Sequence, residues 1–276
     1  MMPAMMVWGY EMPLVWLSQK EIDYLAALPG DLPSVEWVWD EMDRVWQSYG
    51  LDNSLPLTGQ PVREFYTHPI WLMNGIFTQV DPVSAGHRLA IAKYLARTGV
   101  HKIADFGGGF GSLALTIAHA IPDTRIAIIE PYPTGVARER IKSEPHVEFT
   151  PDIGDGYDAI IAQDVLEHVE DPVGLAAQLS GAVREGGIAI FANCFHPFIH
   201  CHLPSTFHLR HTFPRVMGAL GLRYLGVVEG ARHAQVFERV GALSLARARS
   251  AESLSRLFGP TLNFAGAAAS FIRRRA

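Results

Sequence analysis

Three stretches of this sequence carry residues whose types and spacing could do chemistry. The first is Asp105-Phe106-Gly107-Gly108-Gly109-Phe110-Gly111, set between the apolar Ile103-Ala104 and the helix-like run from Ser112 to Ala118. Glycine at that density lets main chain lie directly against a ligand, and the free amides of the helix that follows favour a polar or anionic group. The second is Gln163-Asp164-Val165-Leu166-Glu167-His168, with acids and an imidazole just past an apolar run. The third is Asn193-Cys194-Phe195-His196-Pro197-Phe198-Ile199-His200-Cys201-His202, which continues to His208 and His211 and places five of the twelve histidines within sixteen positions.

Imidazoles in such a loop admit three readings. His196 or His202 can serve as a general base, imidazole and thiolate can gather a metal, or the histidines simply bridge loop backbone and solvent. The spacing matches no zinc pattern, so no metal is expected, and a base is the preferred reading. His168 is a separate candidate base. It stands near the start of a helix, where a positive charge is disfavoured and the neutral imidazole a base requires is favoured. Its alternative is a structural hydrogen bond to the neighbouring loop.

The glycine stretch fits a dinucleotide poorly. Counting from Gly107 the pattern is G-x-G-x-x-Ser112, and the frame Gly109-x-Gly111-x-x-Ala114 begins late in the turn. Asp105, at the strand end and expected to point into the cleft, repels a pyrophosphate and suits an ammonium group. Asp105-x-Gly107-x-Gly109-x-Gly111, Glu130 after Ala127-Ile128-Ile129, and the segment from Tyr157 to Pro172 with its Leu166-Glu167-His168-Val169 together resemble the class I S-adenosylmethionine-dependent methyltransferases of the small-molecule type. The resemblance covers about residues 100 to 241. It implies that Asp105, Gly107, Gly108, Gly109, Phe110 and Gly111 pass under the methionine part of S-adenosyl-L-methionine, with Asp105 near its amino group. It also implies that Glu130 holds the ribose hydroxyls, that Asp152 meets the adenine edge, and that Gln163 and Asp164 line the cofactor.

The elements that must position these residues follow from periodicity. Short apolar runs at 102–106, 125–130, 147–149, 157–162, 187–192, 223–228 and 235–240 read as strands, with helices at 112–120, 135–142 and 172–183. Strands apolar on both faces alternating with helices imply a parallel α/β sheet covered on both sides. The last two strands, joined by 229–234, form a hairpin. The expected fold is therefore a Rossmann-like, seven-stranded, mostly parallel sheet ending in an antiparallel hairpin.

Residues 1–98 form a helical region that caps the cleft. All six tryptophans lie in its first 71 residues. Ser18-Gln19-Lys20-Glu21 is a capping box, a second helix from Ser34 to Tyr49 carries Val35, Val38, Met42, Val45 and Tyr49 on one stripe, and Asp81-Pro82 opens a third through about Arg97. Tyr66 to Trp71 read as an irregular lid. After the cofactor domain at 99–242, residues 243–276 are a basic tail, with six arginines against Glu252. Its Leu254, Leu257, Phe258, Phe264, Phe271 and Ile272 could make an amphipathic surface for a membrane face or an acidic partner, although a helix packed on the protein's own domain, or a loosely ordered tail, is the favoured reading and no membrane association is expected.

A net charge of -5 argues against nucleic acid as a partner, and two cysteines, Cys194 and Cys201, suit a reducing, cytoplasmic setting. No signal peptide or membrane span is expected, and the aromatic N-terminal region could support a homodimer. The function expected is S-adenosylmethionine-dependent methylation of a small-molecule acceptor, at an oxygen of a sugar or secondary-metabolite intermediate. A nicotinamide-dependent oxidoreductase, or a non-catalytic binding protein on the same fold, are the alternatives.

Overall fold

The structure, a computed structural model, describes residues 3–261 in full apart from Pro260, and the backbone alone from 262 to 273. The chain opens with a hairpin, β1 (Ala4–Val7) against β2 (Tyr10–Pro13). Its two-residue turn is Trp8-Gly9, both at positive φ, as a tight hairpin requires. Trp8 is held in that strained conformation by a hydrogen bond from its Nε1 to the Pro29 carbonyl (2.9 Å) and an edge contact with Phe77. The N-terminal region is thus not wholly helical.

Five helices follow: α1 (Gln19–Ala26), α2 (Val35–Ser48), α3 (Gln60–Tyr66), α4 (Pro69–Val80) and α5 (Pro82–Leu95). The Ser18–Glu21 capping box forms, and Ser34 caps α2. Val38, Met42, Val45 and Trp46 are buried on α2, but Val35 is exposed in its first turn. The expected irregular lid at 66–71 is the end of α3, a one-turn corner and the start of α4, with His68 Nδ1 accepting the Ile70 amide. α4 buries Ile70, Leu72, Met73, Ile76 and Phe77 and carries only Asn74, Thr78 and Gln79 as polar side chains. Such a helix belongs inside a core. Asp81 closes α4 and caps α5 with its carboxylate on the Ser84 amide.

The main sheet is built from β3 (Lys102–Phe106), β4 (Arg125–Ile129), β5 (Val147–Thr150), β6 (Tyr157–Gln163), β7 (Val183–Ala192), β8 (Leu222–Val228) and β9 (Ala231–Arg239) in the order β5-β4-β3-β6-β7-β9-β8. Only β9 runs against the others, pairing antiparallel with both β7 and β8. The crossovers are α6 (Ser112–Ala120), α7 (Gly135–Ile141), α8 (Pro172–Ala182) and α9 (Phe213–Leu220). The strand sequence is as expected, except that β7 begins at Val183 and β9 at Ala231, leaving only Glu229-Gly230 between β8 and β9.

Two buried clusters cover the two faces of the sheet. One gathers Ile160, Leu179, Phe191 and Met217, the other Leu95, Ile103, Ile117 and Ile128, so α5 packs on the sheet itself. A third cluster joins Met12, Trp46, Phe65 and Ile76 of the N-terminal region to Phe110, Val136, Ile199 and Cys201 around the cleft. The final helix, α10 (Leu245–Arg273), packs on α9 through buried Ala248, Glu252 and Ser255. Leu254, Leu257 and Phe258 are exposed, while the side chains of Phe264, Phe271, Ile272 and Arg273 to Arg275 lie outside the described residues. No helix among the described residues is long and apolar enough to cross a membrane.

Candidate active site

In this sheet order β3 and β6 are neighbours while their flanking crossovers diverge, which opens a crevice at their carboxyl ends. The turn after β3 places Gly107, Gly109 and Gly111 at φ +73°, +49° and +76°. Gly107 also abuts Val165 from the end of β6, so a Cβ there would overlap the Val165 methyl. Gly108 lies over Asp105, and its Cβ would stand 2.7 Å from Asp105 Oδ2. The turn is a cradle that only backbone can line.

Asp105 does not open into the cleft as expected. It is 2% exposed and folded beneath the turn toward the Ala114 amide, and among the described residues Oδ2 has no partner. Burial, with Glu130 adding repulsion, pushes its carboxyl up to about 7. Glu130, at the end of β4, accepts the Gly109 and Tyr132 amides, each at 3.0 Å, and ties the glycine turn to the neighbouring strand. Burial raises its pKa as well. Two carboxylates that feel each other's charge, one of them with an unpartnered buried oxygen, fit a ligand carrying a positive charge and hydroxyl groups, as S-adenosylmethionine does. Asp152 is exposed in the loop after β5.

Phe110 turns away from the crevice. Its ring is buried against Gly75 of α4, under the Arg140 guanidinium (3.9 Å to the centroid) and edge-on to Tyr10. Gln79 of α4 accepts from Ser112 Oγ (2.7 Å) and from Arg140 (2.9 Å), so α4 is fastened to the start of α6. Tyr66 stacks on Trp71 and on Tyr132, forming an aromatic wall between the cap and the end of β4.

Past β6, Gln163 donates to the Asp164 carboxylate (3.3 Å) and its Oε1 is buried without a partner. Asp164 adopts a left-handed φ of +53° and sharply redirects the chain. Much of its surface is open, yet its carboxylate stands in a crowded recess that raises its pKa. The short 3-10 turn Leu166–His168 follows. Glu167 is 0% exposed, accepts the Cys194 amide (2.7 Å) on Oε1, and leaves Oε2 unpartnered. Burial and then Asp164 push its carboxyl up to about 8.

His168 donates from Nδ1 to the Cys201 carbonyl (3.0 Å), and His202 from Nδ1 to the His196 carbonyl (2.7 Å). Their rings meet edge to face at 4.9 Å. Burial, then His202, holds His168 down to about 3, so desolvation rather than a helix terminus keeps it neutral. Burial lowers His202 as well, opposed by the His196 carbonyl and by Asp164. His196 is brought down to about 4 by burial and by Arg210, and stacks on Phe198, which stacks in turn on Trp39.

The histidine-rich loop therefore divides. His200 pairs with Asp43 (2.9 Å) and fastens the loop to α2, His208 faces Glu252 of α10, and His211 is exposed. Only His202 reaches His168, while His196 flanks a cavity of about 60 Å³ with Arg210 and His233. The sequence assigns Glu167 no role, although its stretch is marked as chemical and it stands beside His168. A larger groove, about 510 Å³, lies at the amino ends of β3 and β4, at the other end of the strands from the glycine turn.

Residues 104–189 match the family model described as a methyltransferase domain. No curated protein matches the sequence. Similar solved structures include human N-acetylserotonin methyltransferase in complex with SAM, at 16% identity over 74% of this chain and 67% of that one, with a TM-score of 0.51. An O-methyltransferase family protein from Burkholderia thailandensis is similar at 15% identity over 85% and 79%, with a TM-score of 0.50. PigF with SAH is similar at 15% over 74% and 69%, also at 0.50. At these identities the likeness is one of fold.

Proposed function

We propose that this chain, a class I S-adenosylmethionine-dependent methyltransferase, transfers the methyl group to an oxygen of a small molecule such as a sugar or a secondary-metabolite intermediate. The cofactor supplies a methyl carbon on a positively charged sulfur. The protein is left with alignment of the acceptor and removal of its hydroxyl proton.

In this reading the backbone of Gly107 to Gly111 receives the methionine portion, with Asp105 Oδ2 as counter-charge to its ammonium. Phe110 contributes through its main chain, since its ring is held by α4. Glu130 has lone pairs left for ribose hydroxyls after accepting its two amides, Asp152 lies toward the adenine, and Gln163 and Asp164 line the reacting end. Tyr66, Trp71 and Tyr132 exclude water from one side.

The observation that carries the oxygen assignment is the neutral imidazole pair. His168 and His202 each spend Nδ1–H on a main-chain carbonyl, so Nε2 of each keeps a lone pair for an acceptor hydroxyl. As the new carbon–oxygen bond forms, the carbon–sulfur pair stays on sulfur and the hydroxyl proton leaves toward Nε2 of His202, whose basicity the His196 carbonyl and Asp164 support, while the more strongly desolvated His168 orients the hydroxyl. His196 stands at the outer edge of the imidazole pair.

Calorimetry with S-adenosylhomocysteine and with a nicotinamide dinucleotide tests the cofactor, and a panel of hydroxylated acceptors tests turnover in His168→Ala, His196→Ala and His202→Ala. The expected result is S-adenosylhomocysteine binding in all forms with turnover lost in His168→Ala and His202→Ala. Nicotinamide binding alone, or unaltered turnover in every variant, overturns the reading.

A further inference from the structure

Glu167, His168 and His202 each offer an atom able to bind a metal, and these three atoms lie within 4.8 Å of one another. We propose that they form a binding site for one first-row divalent cation, of the zinc, cobalt or manganese kind, at the acceptor end of the cleft. The role given to the cation rests on the methyltransferase reading; its binding does not.

Three observations support the site. Glu167 Oε2 is fully buried and has no partner among the described residues, a condition native proteins rarely leave uncorrected. Both imidazoles have their Nδ1–H fixed on a main-chain carbonyl, which is how metal-binding histidines are usually oriented and which leaves Nε2 as the coordinating nitrogen. The ligands are also firmly mounted, because the Glu167 carbonyl accepts the Leu203 amide (2.8 Å) and its carboxylate accepts the Cys194 amide, so the β6 turn and the loop after β7 are joined on both sides of the cluster.

Ligand atoms at about 2.0–2.2 Å from an ion lie at most about 4.4 Å apart, so a closing movement of well under about 1 Å per side chain suffices. Two nitrogens and one carboxylate favour zinc, cobalt, manganese or iron over magnesium or calcium, which prefer all-oxygen shells. Three protein ligands leave positions free. An acceptor oxygen bound there would lose its proton to solvent water more readily, and its neighbour on the acceptor could bind a second position. The two imidazoles would then act through the cation instead of accepting the proton themselves.

The test uses the full chain, stripped with a chelator and titrated with Co²⁺, whose visible absorption reports nitrogen and oxygen coordination; Zn²⁺ is then added as competitor. One Co²⁺ per chain displaced by Zn²⁺ is expected, with affinity at least about ten-fold weaker in Glu167→Gln and in His202→Ala. S-adenosylhomocysteine calorimetry on the same samples shows that the variants are folded, and it tests the cofactor reading by itself. Absent cobalt absorption in the parent chain, or equal affinity in both variants, overturns the site even when S-adenosylhomocysteine binds.

Discussion

Gly75 of α4 meets the ring of Phe110 so closely that a Cβ on Gly75 would stand 2.7 Å from Phe110 Cγ. The ring has little room to withdraw, because the Arg140 guanidinium lies over it and Tyr10 meets its edge. The cap and the glycine turn are thereby one packed unit, joined again by Gln79 to Ser112 and Arg140. Gly75→Ala is expected to lower stability by about 1–3 kcal/mol through overpacking and to weaken S-adenosylhomocysteine binding, since the turn must shift. Urea unfolding and calorimetry check both effects; a change under about 0.5 kcal/mol would mean that Phe110 moves freely.

Gly107 carries two separable demands, a φ of +73° and contact with Val165. Gly107→Ala should therefore be strongly destabilising, and Gly107→Ala with Val165→Ala should recover part of that loss, leaving the backbone strain of about 1–3 kcal/mol. The coupling is read from the four proteins of a double-mutant cycle. Strict additivity would show that the two residues do not meet.

Asp105 makes stability depend on pH. Its native pKa, about 7, lies above the usual value of 3.8, so between those limits the folded chain holds a proton that the unfolded chain has lost. Stability falls as pH rises through that window, and the penalty is complete above about pH 7, on the order of a few kcal/mol. Asp105→Asn should flatten this slope and raise the melting temperature at pH 8 more than at pH 5, while weakening S-adenosylhomocysteine binding. An unchanged slope in thermal melts at the two pH values would rule out Asp105 as its source.

Glu252, 3% exposed on α10, pairs with Arg249 (2.9 Å) and Arg256 (2.8 Å) and stands 3.3 Å from His208 Nε2. Arg249 also reaches Asp171, the cap of α8. Glu252→Gln should cost about 1–3 kcal/mol and increase amide exchange in α10, whereas Arg247→Ala, which makes no ion pair among the described residues, should stay within about 0.5 kcal/mol. Equal effects of the two substitutions would deny α10 this anchoring role.

The strands were legible because each is a short apolar run bounded by glycine, proline or charge, and both Asp105 and Glu130 stand at strand ends where the pattern stops. The N-terminal region was less so. α4 is apolar over most of its circumference and shows only a weak helical period, and the β1–β2 turn uses Trp8, where a sequence signal would be asparagine or glycine. At the site, the conjunction of His168 and His202 could not be read, because the loop from 193 to 212 has no regular period to say which of its histidines returns to β6. The burial of Asp105 was equally hidden. It depends on the Ala114 amide and on Gly108 lacking a side chain, a relation of shape rather than of spacing.

The placing of β9 between β7 and β8 has a consequence for how the molecule is made. β7 keeps an open, highly apolar edge until residues 231–239 have been synthesised and have doubled back from β8. Cooperative closure of the sheet therefore waits until residue 239 has been made. During that interval the Ile188–Ala192 edge is the segment most exposed to wrong pairing with another nascent copy.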